Sequence, residues 1–589
     1  MRFSNLYDLK GSMMKPDNRH STKSADNAVS PETFSRVVMG AFVFQIVFLA
    51  IAAFQNQDAL NTDGIAYLRI ATYYADGQTD LMVSGYWGPL MSWLMVPFIK
   101  AGLSAMIAAR IVMAISGIVF LLGCRAVFRA FDIDRTTQLI GIWIAAATSI
   151  FWSVRNITPD LLLAGLMGLA IASLANRTWL DSKRGPVVAG VFWGLAYLAK
   201  AVAFPLAILI SGAFAILLRF TGAADTKQAA RQLAITVAVF ACVSAPWMLT
   251  LSMKYGGPTF STSGRINHAI AGPPDVERYH PFARTYYSPA PGRVTQWEDP
   301  SNMDYQFWSP FESGPYAAHQ TKLIFQNLPK VAGYFCGFNV AHLLRSGGEL
   351  SARDLLVLIP GFDLFYIGLA GLIGCVFMRR NWRKRLAEER WRWALVPVLL
   401  MAGIYLPVYL RSDDLRYFYP AFPLVWVACS GLLFHLVSAF AKQAERIRGL
   451  GIRLLAGSFA LPALIWLLAA CVGIPNAASW SSRILADRIE AANVNGPIAG
   501  SATIQGGRAG LYTAYYLNQP WHGDEPNMSP ENLKKSGARI AIVFRFDPSF
   551  SQLQFNPAFR NLDALLFRSS EEAAEFPLAA FEIVASKIR

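Results

Sequence analysis

Charge is scarce in this 589-residue chain: 15% of its residues are Asp, Glu, Lys or Arg, against 54% hydrophobic. Mean hydropathy is +0.34. That composition excludes a soluble globule and fits a polytopic membrane protein. Cysteine is scarcer still. Of six cysteines, only Cys336 falls clearly outside the apolar runs, so no disulfide framework is implied. Several soluble-enzyme signatures are missing: there is no GxxxxGK[ST], no HExxH, no CxxC and no strand-bound GxGxxG, so no ATP-binding loop of that type. His268, His280 and His319 lack ligand-like spacing. The net charge of +15 is not gathered into a basic patch interleaved with aromatics, which argues against a nucleic-acid partner. Membrane proteins collect Lys and Arg in cytoplasmic loops anyway.

What the chain does have is long apolar runs. Windows of about 20 residues predict about eleven transmembrane helices, near 36–54, 105–128, 138–154, 160–175, 187–200, 203–219, 233–252, 354–378, 394–411, 418–440 and 454–474. The stretch 187–220 is flanked on both sides by basic segments, so the chain crosses twice there, with a break near "AKAVAFP" where Pro205 interrupts the ladder. Loop charge sets the orientation. "RRNWRKRLAEERWR" (379–392) carries seven Arg or Lys against two Glu, and "KQAERIRGLGIR" (442–453) four against one, placing both inside together with the leader 1–35. The expected fold is an α-helical polytopic membrane protein. Its transmembrane module spans 36–252, with juxtamembrane helices in a first external loop, 55–104. A loop or lid at 253–353 follows, then further spans at 354–474. The tail 475–589 holds eleven basic and eleven acidic residues and alternates strand-like runs, "GLYTAYYL" and "ARIAIVFRF", with helical stretches; it reads as a small extracytoplasmic α/β domain.

This topology puts several ionisable residues at one membrane level: Asp63 and Arg69 in "NTDGIAYLRIA", Arg155 and Asp160 in "RNITPD", Lys200 in "GLAYLAK", and Asp413, Asp414 and Arg416 in "RSDDLRYFYP", where Arg416 can also form a plain surface ion pair with either neighbouring Asp. Charges at that depth face a cavity, a partner or a ligand. Each also has a plain structural reading. Asp63 suits a helix N-cap, Asp160 a helix dipole, and Lys200 can snorkel to headgroups. Their coincidence on one face points to a site for an anionic substrate. In the long loop, Trp297, Trp308, Tyr286 and Tyr287 offer flat apolar faces, or simply pack a lid.

The ordered set "NTDGIAYLRIA", "GYWGPLMSWLMVPFIKAGLSAMIAARIV", "RNITPDLLLAGLMGLAI", "GLAYLAKAVAFPL" and "RYFYPAFPL" resembles the GT-C glycosyltransferases. Within them it resembles the branch of protein O-mannosyltransferases and bacterial lipid A aminoarabinose transferases. The resemblance implies a multi-pass protein of the bacterial inner membrane. It would take a sugar from a polyprenyl-phosphate carrier on the outer face and pass it to an envelope glycan, lipid or protein. It implies Asp63 as the catalytic carboxylate and Asp160 as its companion, with a divalent cation as a further option. Lys200 and Arg416 would lie near the carrier phosphate, with Arg155, Arg69, Tyr67 and Tyr417 beside them. One position departs from the aminoarabinose-type pattern: Trp87-Gly88-Pro89 stands where those enzymes carry a lysine before two prolines. Two rival classes remain open, a flippase for a lipid-linked sugar and a non-catalytic membrane scaffold.

Overall fold

The computed structural model describes residues 29–176, 178–276, 286–290, 292–336, 386, 389–408, 414–438, 444–473, 477–502, 508–526 and 528–584. Among them, seven helices are long and apolar enough to cross a membrane: Pro31–Gln55, Ala105–Ala130, Arg135–Arg155, Ala203–Phe220, Thr226–Tyr255, Leu415–His435 and Gly449–Val472. The chain is a multi-pass membrane protein. Helix starts are marked by side-chain caps, Ser30, Ser104, Asp134 and Asp225 each accepting from a backbone N–H three residues on. Large apolar side chains stand exposed along these helices, among them Met39, Val43 and Ile46 on the first and Leu249 and Met253 on the fifth, as lipid-facing positions require.

Three other expected spans are shorter. Asp160–Ala175 and Arg184–Ala199 have 16 residues each and Leu395–Tyr405 has 11. A 16-residue helix rises about 24 Å, less than a hydrocarbon core of about 30 Å. Asp160–Ala175 is buried between its neighbours rather than set against lipid, whereas Arg184–Ala199 buries its second half and exposes Val187 and Val188 near its start. The expected span 354–378 lies outside the described residues. The break in 187–220 falls at Lys200–Val202, with Pro205 in the first turn of the second helix. Helices Ala105–Ala130 and Asp160–Ala175 meet through Gly123 and Gly165. A Cβ on Gly123 would stand 2.6 Å from the Gly165 carbonyl oxygen, so only glycine permits this backbone approach.

Two short helices, Thr62–Ala75 and Pro89–Lys100, follow the first span and pack on one another, with Ser92 Oγ donating to Tyr67 O at 3.0 Å. The stretch 253–353, aperiodic by sequence, contains a 23-residue helix, Gly314–Cys336. Its anchor is polar, which hides it from an apolar-periodicity reading: Asn327 Nδ2 donates to the carbonyls of Leu406 and Val408, and Gln320 Nε2 to that of Pro407.

The C-terminal part is a helix, Ala477–Ala491, and a five-stranded sheet of β1 Ile498–Ser501, β2 Trp521–Glu525, β3 Ile540–Phe544, β4 Phe559–Asn561 and β5 Leu578–Ile583. The order is β2-β1-β3-β5-β4, with β1 parallel to β2 and β3, and β5 antiparallel to its neighbours. "ARIAIVFRF" supplies β3 as expected, but "GLYTAYYL" is helical, Ala509–Tyr516. The reason is topological. Adjacent parallel strands need a crossover, and this helix is the crossover between β1 and β2. Arg69 fastens the domain to the helix Thr62–Ala75 by donating to the carbonyls of Ala514 and Gln519 at 3.0 and 2.9 Å.

Candidate functional site

Asp63 lies in the first turn of the helix Thr62–Ala75, where the N-cap position belongs to Asn61. The Asn61 side chain is engaged elsewhere, its Oδ1 accepting from Ile157 N at 2.7 Å and tying the first loop to the "RNITPD" turn. Asp63 and Asp160 thereby come to one place. Asp160 opens the helix Asp160–Ala175 behind Pro159 and is 1% exposed. Lys200 sits in extended backbone (φ −155°) at the break between two helices, so its side chain leaves the bundle at the level of Asp160. Gly88 packs against this break, and a Cβ there would collide with the Ala199 carbonyl.

The four charges form one chain. Lys200 Nζ lies 2.5 Å from Asp160 Oδ1, Arg416 Nη1 2.7 Å from Asp63 Oδ2, and Arg416 Nε 3.9 Å from Asp160 Oδ2. Tyr417 lies between the cations, its ring centroid 4.1 Å from Lys200 Nζ and 5.3 Å from the Arg416 guanidinium. All line a cavity of about 390 Å³, together with Tyr67, Trp87 and Trp297. Burial and the two nearby carboxylates push the Tyr67 phenol well above its ordinary pKa, so it stays a neutral hydroxyl.

Most of the other sequence candidates are placed elsewhere. Arg69 does not line the cavity; it pairs with the buried Glu298 at 3.3 Å while it anchors the C-terminal domain. Arg155 lines a small neighbouring pocket that it shares with Arg416 and Tyr419. Among the four loop aromatics, Trp297 is the one at the cavity, its Nε1 donating to Thr62 O at 2.8 Å beside Asp63. Trp308 stacks on His268 at 4.4 Å. Tyr286 and Tyr287 dock the loop on β2, Tyr286 N donating to Glu525 Oε1 and Tyr287 N to His522 O. The sequence reading missed Arg508. It reaches the cavity from the C-terminal domain, its guanidinium 5.0 Å from the Trp297 ring centroid. No local motif marks it, because its place depends on how the domain docks.

A divalent cation does not suit this arrangement. Asp63 and Asp160 are held by Arg416 and Lys200, and among the described residues no three His, Cys, Asp or Glu side chains gather as a metal site.

The helical module, its juxtamembrane helices and the appended sheet domain together have a fold found among solved structures. No family model matches the chain, and no curated protein matches it by sequence. Among solved structures, it is similar to ArnT from Cupriavidus metallidurans bound to undecaprenyl phosphate, with a TM-score of 0.51 and 15% identity over 95% of this chain and 99% of that one. The apo state of the same protein gives a TM-score of 0.50 and 15% identity over 93% and 99%. The Archaeoglobus fulgidus oligosaccharyltransferase in the apo form gives 0.49 and 12% over 86% and 69%.

Proposed function

We propose that this chain is a glycosyltransferase of the bacterial inner membrane. It moves a sugar from a polyprenyl-phosphate carrier to an envelope acceptor on the outer face, by single displacement with inversion. The observation that carries the reading is the contact of Arg416 with Asp63 inside the cavity, beside Lys200 on Asp160. A base and two phosphate-binding cations stand within one ligand-sized space. That the similar ArnT structure holds undecaprenyl phosphate supports a carrier of this class.

In the reaction, the acceptor hydroxyl oxygen attacks the anomeric carbon as the carbon–oxygen bond to phosphate breaks. The hydroxyl proton goes to Asp63, and the electron pair leaves on the carrier phosphate, stabilised by Lys200 and Arg416. The incoming phosphodiester competes with Asp63 for Arg416, which frees the carboxylate as the donor seats. Asp160 holds Lys200 in place. The gathering of these charges at helix ends favours transfer over transport, since a flippase would place polar groups at broken helices in mid-membrane.

The test is Asp63→Asn. An amide accepts a hydrogen bond from Arg416 but cannot take the acceptor proton, so transfer drops by about 100-fold or more while carrier binding and Tm are kept. A fully active Asp63→Asn variant removes the base and with it this mechanism.

A further inference from the structure

A second group of cavity residues comes from a different part of the chain. Ser263, Gly264 and Asn267, on the short helix Ser263–Ala269, line the cavity with Tyr86 from the first loop. Ser263 and Asn267 are four residues apart and share a helix face. The helix also carries two basic residues, and neither lines the cavity. The Arg265 guanidinium lies 3.6 Å from the Phe307 ring centroid. His268 stacks on Trp308, with its Nε2 3.0 Å from Gln320 Oε1. The helix therefore meets the cavity with a hydroxyl, an amide and bare backbone.

These groups retain bonding capacity. Ser261 Oγ donates to Gly85 O at 3.0 Å and lies 2.9 Å from Ser263 Oγ. A hydroxyl has one proton, so Ser263 donates in that pair and keeps its lone pairs. Asn267 Nδ2 donates one proton to Ser263 O at 2.9 Å and keeps a second. At Gly264 an added Cβ would meet nothing within 4 Å, which leaves room for a ring against the backbone.

The surface is also held rigid by a network that the transfer chemistry does not use. Lys254 Nζ lies 2.6 Å from the buried Asp299, Tyr255 Oη donates to the same carboxylate at 2.8 Å, and Gly85 N donates to Tyr255 Oη at 2.8 Å. Thr262 N donates to Gly85 O at 2.9 Å, and Ser301 Oγ to Thr262 Oγ1 at 2.6 Å. Polar groups fixed beforehand cost less to order when a ligand arrives.

We propose that Ser263, Gly264 and Asn267, with Tyr86, seat the donor's sugar, and that this sugar is neutral and polyhydroxylated rather than an amino sugar or a uronic acid. The proposal rests on the lipid-linked donor argued above. An ammonium on the sugar would have to draw on Asp63 or Asp160, the base and the counter-ion of Lys200. A sugar carboxylate would draw on Lys200 and Arg416, which the donor phosphate needs, or on Arg508, whose guanidinium lies 5.0 Å from the Trp297 ring centroid. A neutral sugar does neither, and the hydroxyl and amide groups of this surface match its own.

The test uses the full chain in detergent and four kinds of probe: bare undecaprenyl phosphate, and the same carrier bearing a neutral hexose (glucose, mannose and galactose in turn), glucosamine or glucuronic acid. At least one neutral hexose should tighten binding about tenfold over the bare carrier, and both charged sugars should bind more weakly than that hexose. Asn267→Ala and Gly264→Leu should bring the ratio of sugar-bearing to bare carrier toward one while bare-carrier affinity holds. Gly264→Leu adds bulk without disturbing a neighbour, so it probes occupancy apart from folding. A charged sugar bound as tightly as the best hexose, or a ratio unmoved in both variants, overturns the proposal and leaves the donor reading standing. Failure of bare carrier and every glycosylated form to bind overturns both.

Discussion

Lys200→Met offers the sharpest separation of structure from chemistry at this site. Methionine keeps the stem of the side chain and removes its charge. The lysine now lies 2.5 Å from Asp160, a carboxylate 2% exposed, while its own side chain is 26% exposed. Removing one partner of a fully buried pair costs about 3–5 kcal/mol. Here Arg416 Nε remains 3.9 Å from Asp160 Oδ2 and the cavity admits water, so about 1–3 kcal/mol is the reasoned cost. The loss in transfer is separate, because a cation that stabilises a leaving phosphate is worth about 2–4 kcal/mol, roughly a hundredfold or more in rate. The double variant Lys200→Met/Asp160→Asn removes the orphaned charge and should recover most of the lost Tm. It should not recover transfer. Melting curves and transfer from a polyprenyl-phosphate sugar, taken on the single and double variants together, decide the matter. A double variant that regains transfer would make Lys200 a counter-ion for Asp160 and nothing more. A single variant that melts like the parent would refute the energetic argument.

Gly88→Ala should lower both Tm and activity, since the added methyl collides with the Ala199 carbonyl one residue from Lys200; a normal Tm would mean the helix break has more freedom than this packing implies. Burial pushes the Asp524 carboxyl up to about 7, and that of Glu525 as well. A carboxyl with a raised folded-state pKa stabilises below its unfolded value near 4 and loses that contribution as pH rises through about 7. Melting temperature should therefore fall across that window, and Asp524→Asn should flatten the slope; for this buried group the effect is on the order of 4 kcal/mol at most. A slope unchanged in Asp524→Asn would place the titration elsewhere. For topology, a reporter active only outside the cytoplasm should work when fused after Arg589 and fail within 380–392, and activity at both points would break the orientation derived from loop charge.

The sequence by itself determined the membrane class and picked out four charged positions that line one cavity. Asp63, Asp160, Lys200 and Arg416 each stand near the edge of an apolar run, and a charge there has to lie near a membrane surface, so one-dimensional reading could collect them at one level. Strand β3 was legible from its local composition, because "IAIVF" is a continuous apolar run rich in β-branched residues. Partnership was not legible. Arg69 and Arg416 look alike along the chain, yet one is drawn to Glu298 and to carbonyls about 450 residues away, and the other to Asp63. The same holds for "GLYTAYYL", whose Tyr and Leu content suits a strand until two parallel neighbours require a crossover. Arg508 reaches the cavity only because the sheet domain docks on the helix Thr62–Ala75 and its crossover helix begins beside Trp297. Periodicity and charge are local properties and survive in one dimension. Which cation meets which carboxylate depends on packing between elements hundreds of residues apart, and only the tertiary structure decides that.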